Sequence, residues 1–171
     1  MPEKRTIERA ERAKQKGKSS STQAGEFVRE EMHHIRKGKH GARSTKQAIA
    51  IGLSKARRAG VDLPAPEKGT VSEKTRRSAE RAYEAGQRGT TRRSRRRSRA
   101  TERTLKNEDR SVASKTALSK QARSAARKRT RTERSAAARR AAHTKGKKGR
   151  SAAAREAART RAAAINPRRQ E

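Results

Sequence analysis

Large apolar residues concentrate between Phe27 and Leu63, and there they recur at helical spacing. At 100° per residue Ala24, Val28 and Ile35 fall together, with Phe27 and Met32 at the edges of the same half of the wheel. Arg29, Glu30, His33 and Arg36 take the opposite, solvated half. The pattern predicts a helix from about Thr22 or Gln23 to Lys37, stopped by Gly38. The connection GKHGAR, Gly38–Arg43, is short enough to lay a second helix beside the first. Ser44 and Gln47 form a capping box at its start, and Gly60 followed by Val61 fits a Schellman-type end. Within it Ile49, Gly52, Leu53 and Ala56 share a face, with Gly52 permitting close backbone approach, while Ile51 points elsewhere and calls for a second contact. The product is a helical hairpin, Gln23–Pro64, with a core of Phe27, Val28, Met32, Ile35, Ile49, Ile51 and Leu53, closed by Val61 and Leu63. So few apolar side chains bring a module of this size close to break-even against chain entropy.

The flanking segments carry weaker patterns. Pro2–Lys16 has Glu/Arg pairs at helical spacing but Ile7 as its only large apolar residue, which predicts a short solvated helix ending at Gly17. Pro64–Lys68 reads as an extended linker, and Thr70 with Glu73 as a capping box opening a helix to about Ala85, before Gly86. Gln87–Ala100 contains RRSRRRSR, which has no periodicity and is expected to be unstructured. From Ser111 the chain is rich in Ala, Arg, Lys and Ser, and RSAAARRAAHTK at Arg134 is echoed by RSAAAREAART at Arg150. The irregular spacing excludes a solenoid. Ala and Arg favour helix once their charge is neutralised, with Gly146, Gly149 and Pro167 as breaks. The expected architecture is all-α: a basic N-terminal segment, 1–20; the hairpin module, 21–64; a linker with one helix and the Arg/Ser tract, 65–110; and a largely disordered or conditionally helical basic tail, 111–171.

Charge decides what such a chain meets. The formal net charge is +33 over 171 residues, with 39% charged and 1% aromatic residues. Residues 1–70 hold 17 Lys+Arg against 8 Asp+Glu, and residues 71–171 hold 33 against 9. A polycation of this kind seeks a polyanion, nucleic acid above membrane surfaces or acidic proteins. The expected phosphate contacts are Arg57 and Arg58 at the end of the second helix, then Arg92, Arg93, Arg95, Arg96, Arg97 and Arg99 in the Arg/Ser tract. In the tail they are Arg123, Arg127, Lys128, Arg129, Arg131, Arg134, Arg139, Arg140, Lys145, Lys147, Lys148 and Arg150. With so few rings for base stacking, duplex DNA, or RNA read by shape, suits the chain better than single strands. The expected function is DNA binding without sequence preference, with RNA or ribosome binding, or a protein-interaction module localised by its arm, as alternatives. RRSRRRSR also reads as a kinase-accessible tract, with a phosphate-binding tether the favoured reading.

Other chemistry is thinly represented. There is no cysteine, so disulfides and thiolate metal sites are excluded. No apolar run approaches the length of a membrane span, and the first 18 residues alternate charge too densely for a signal peptide, which points to a soluble, cytoplasmic protein. One cluster has catalytic or metal-ligating residue types: Glu30, Glu31, His33, His34 and His40. Glu30 and His34 stand at i, i+4 and His40 is able to return from the connection. Adjacent His33 and His34 diverge by 100°, however, and the spacing fits no standard ligand pattern. Satisfied or solvated side chains on a basic helix are therefore expected, with no metal, cofactor or catalytic residue. No G-x-S-x-G turn or Walker-type loop is present.

The block STQAGEFVREEMHHIRKGKHGARSTKQAIAIGLSKARRAGVDLP, Ser21–Pro64, resembles a bacterial domain of unknown function found in small, very basic DNA-binding or histone-like proteins. The likeness is carried by KQAIAIGLSKARRAG and by V-R-E-x-M-H-H. The Ala/Arg/Lys-rich remainder is similar to linker-histone-like tails. The resemblance implies a nucleic-acid partner and a nucleoid-associated localisation, and brings no catalytic residues.

Overall fold

A computed structural model describes residues 2–89 and 94–165, with the side chains of 95, 97, 144 and 163–165 not among those described. Every α-helix or turn of helix among these residues follows in sequence: α1 Lys4–Gln15, α2 Ser20–Arg36, α3 Thr45–Arg58, α4 Glu73–Gln87, α5 Arg95–Lys106, a 3-10 turn at Ser111–Ala113, α6 Lys115–Arg127 and α7 Arg131–Ile165. The described residues form no strand, so the all-α class holds. Two units divide the chain, residues 1–122 and 123–171.

In the first unit α2 packs against both α1 and α3, and α4 packs on α3. Ser44 caps α3 through its hydroxyl, which accepts from the Gln47 amide at 3.2 Å, while the Gln47 side chain accepts from the Arg43 amide at 2.7 Å. Gly60, at φ +85°, ends α3, and the Val61 amide donates back to the Ala56 carbonyl. Gly52 does lie against α2: a Cβ there would come within 2.7 Å of the Val28 Cα.

Two apolar clusters form along α2. One joins Ala24 and Phe27 to Ala10, Ala56 and Val61, with Ile7, Leu53, Ala59 and Leu63 packed around them. The other joins Met32 and Ile35 to Ala42, Ala48 and Ala113, with Val28, Ile49, Val112 and Leu118 alongside. Residues on both sides of 21–64 therefore share its core. Arg36 Nε donates to the Ala113 carbonyl at 2.8 Å, and Thr45 Oγ1 to that of Val112 at 2.8 Å, pinning the 3-10 turn to the hairpin. Ile51 is half-buried and belongs to neither cluster.

Several expectations are corrected. α1 is not a solvated helix: Thr6 and Ala10 are buried and Ile7 packs on the core. Small residues do this packing, so hydropathy alone underrates it. The cap of α4 is Ser72, whose hydroxyl accepts from the Thr75 amide, rather than Thr70. Gly86 does not stop α4; it lies inside the helix against the Arg57 carbonyl, where a Cβ would collide, and the positive-φ residue beyond the helix is Gly89. Part of RRSRRRSR is ordered, with α5 beginning at Arg95, while 90–93 lie outside the described residues.

In the second unit, where composition predicts a largely disordered or conditionally helical tail, α7 runs from Arg131 to Ile165. High helix propensity from Ala and Arg accounts for it. The helix is broken at Gly146, with φ +63° and ψ −179°. Pro167 lies outside the described residues.

Candidate nucleic-acid interface and a buried acid–histidine cluster

The structure places most of the expected phosphate ligands on the surface. Arg96, Arg99, Arg123, Arg127, Lys128, Arg129, Arg131, Arg134, Arg139, Arg140, Lys145, Lys147, Lys148 and Arg150 are exposed. Arg92 and Arg93 lie outside the described residues, as do the side chains of Arg95 and Arg97. Arg58 is half-buried. Arg57 is the correction: it is buried, with Nε donating to the Leu63 carbonyl at 2.9 Å and Nη2 to the Pro64 carbonyl at 3.1 Å. Burial pulls its pKa below that of ordinary arginine. Its guanidinium fastens the chain leaving α3 and is already committed to the fold.

Carboxylates of the hairpin are arranged the other way. Glu30 and Glu31, one of them expected on the solvated half of α2, are both buried. Lys55 Nζ stands 2.6 Å from Glu31 Oε2 and 3.9 Å from Glu30 Oε1. His40 returns from the connection, with Nε2 3.3 Å from Glu31 Oε1. His34 Nε2 lies 2.8 Å from Glu3 Oε1 and 3.9 Å from Glu30 Oε1, and the Glu3 amide donates to the Glu30 carboxylate at 3.3 Å. Lys39 reaches Glu3 at 3.3 Å. The His34 and Lys39 hydrogen bonds hold the exposed Glu3 carboxyl down to about 2. His33 is exposed and takes no part.

Sequence reasoning named Glu30, Glu31, His34 and His40 but missed Glu3, Lys39 and Lys55. The signal for Lys55 was present, since Ala48, Gly52, Lys55 and Ala56 follow helical spacing on the face that packs. Likewise Glu31 falls within the buried stripe of Ala24, Phe27 and Ile35. A lysine and a glutamate on facing buried stripes are a pair in waiting. Nothing in the local pattern ties Glu3 to α2, because 31 residues separate it from His34.

Residues 17–68, which take in α2, the connection and α3, match the model of a family of unknown function (DUF6496). No curated protein matches the chain, and neither does any solved structure. Among the described residues no helix is long and apolar enough to cross a membrane.

Proposed function

We propose that the chain is a nucleic-acid-binding protein of the bacterial nucleoid, without catalytic activity, that engages duplex DNA without sequence preference and compacts or bridges it. The observation that carries this reading is the disposition of charge. Residues 123–171 hold 17 Lys+Arg against 3 Asp+Glu, and the named arginines and lysines from Arg123 to Arg150 are exposed. Guanidinium groups offer paired donors to phosphate oxygens, and each neutralised phosphate releases condensed counterions. Burial of Glu30 and Glu31 works in the same direction, because it removes two anions from the surface that a polyanion would meet.

The test is duplex binding followed from low to high salt. Ten engaged phosphates would give log K against log[salt] a slope of about −9. Random-sequence DNA should compete as well as any chosen sequence. A shallow slope, or failure of random DNA to compete, removes the reading. Structured RNA bound in preference to duplex DNA at equal salt would redirect it to RNA.

A further inference from the structure

Within the first unit, one ligand atom each from Glu31, His34 and His40 lies within 4.8 Å of the other two. We propose that these three side chains form a binding site for a divalent transition-metal ion of the zinc class, which joins α2 to the connection leading into α3.

The geometry of His40 and Glu31 points this way. The Gly41 carbonyl can only accept, so His40 Nδ1, 3.0 Å away, carries a hydrogen. Nε2 of the same ring faces Glu31 Oε1 at 3.3 Å. A ring nitrogen fixed through a backbone carbonyl, with the other nitrogen turned inward, is the arrangement that metal-bound histidines use. Glu31 is fully buried, and neither oxygen makes a hydrogen bond. Lys55 and His40 approach it at ion-pair distance without hydrogen-bond geometry.

Distance supports the same assignment. Ligands about 2.0–2.1 Å from a tetrahedral ion stand about 3.3–3.4 Å from one another. His40 Nε2 and Glu31 Oε1 are already 3.3 Å apart. The third ligand is an imidazole nitrogen of His34, three residues after Glu31 on the same helix. Lys55 holds Glu31 Oε2, which leaves Oε1 for the ion. Two nitrogens and one carboxylate oxygen select zinc-like ions over magnesium or calcium, and the fourth position is left for water.

The test is Zn²⁺ titration of the chelator-treated full chain by calorimetry, with Co²⁺ absorption as a second signal. One equivalent should bind, and the unfolding temperature should rise with it. His40→Ala and Glu31→Gln should each weaken binding at least ~10-fold, whereas His33→Ala, an exposed neighbour, should leave it unchanged. Equal binding by His40→Ala and the parent, or loss in His33→Ala alone, overturns the site. Should Glu31→Gln fail to fold, X-ray absorption of the zinc-loaded parent decides: a shell of two imidazoles and oxygen supports the site, and one without imidazole overturns it. No binding by the parent means that the cluster is an ion-pair network only, and the proposal fails.

Discussion

Glu3 belongs to α1 by position and to α2 by chemistry, since its carboxylate bonds His34 and Lys39. Its folded pKa of about 2 lies below the ordinary 4.5, so ionised Glu3 stabilises the fold above about pH 4.5, and that contribution is lost as pH falls through about 2. Glu3→Gln should therefore be less stable than the parent near neutral pH. The difference should close between those two values, as read by urea unfolding along a pH series. Glycines give a contrasting pair. Gly41 donates its amide to the Leu105 carbonyl at 2.7 Å, and a Cβ there would collide with the Glu108 carbonyl. Gly41→Ala should cost at least about 1–3 kcal/mol, as overpacking does. Gly25 lies inside α2 with nothing within 4 Å of a would-be Cβ, so Gly25→Ala should stabilise by about 0.5–1 kcal/mol. Thermal or denaturant melts of the two variants, with opposite signs, check both.

At the scale of elements, α1 is part of the core around Phe27, because Ala10 is buried in it and Ile7 packs against it. Val112, Ala113 and Leu118 cover the other cluster. A fragment of residues 2–122 should therefore unfold cooperatively, whereas residues 19–68 alone should lose that cooperativity, as followed by helical circular dichroism against urea. α2 and α3 were legible in the sequence because large apolar side chains, a capping box and a glycine stop all pointed to the same boundaries. α1 was legible as a helix, but its packing was not, because beside the single Ile7 its buried surface is Thr6 and Ala10, which carry little hydropathy. Gly86 misled for a related reason: a glycine that admits a neighbouring carbonyl reads the same as one that ends a helix. The acid–histidine cluster was legible as residue types on α2. Its closure depended on Lys55 and Glu3, which reach it from other elements in a way that no local spacing encodes.

For the molecule as a whole, net charge and the basic second half were legible, and the charges buried in the hairpin were not. Composition could not say that Arg57 turns inward to two carbonyls or that Glu30 and Glu31 are withdrawn from solvent. Deleting residues 123–171 removes 17 Lys+Arg, and the salt slope of duplex binding should flatten by about 0.9 for each phosphate no longer neutralised. Parallel salt titrations of the full chain and the shortened one measure it; an unchanged slope would move the binding surface to the first unit. On the proposed duplex binding, the break at Gly146 bears on how such an arm would meet DNA. Thirty-five residues of unbroken helix would make a straight rod about 52 Å long, more than one ~34 Å turn of duplex. A straight rod touches a curved phosphate path along one tangent and then departs from it. Two shorter rods joined at a residue that tolerates φ +63° can follow two successive tangents, so the curvature the arm is able to match is set at a single glycine.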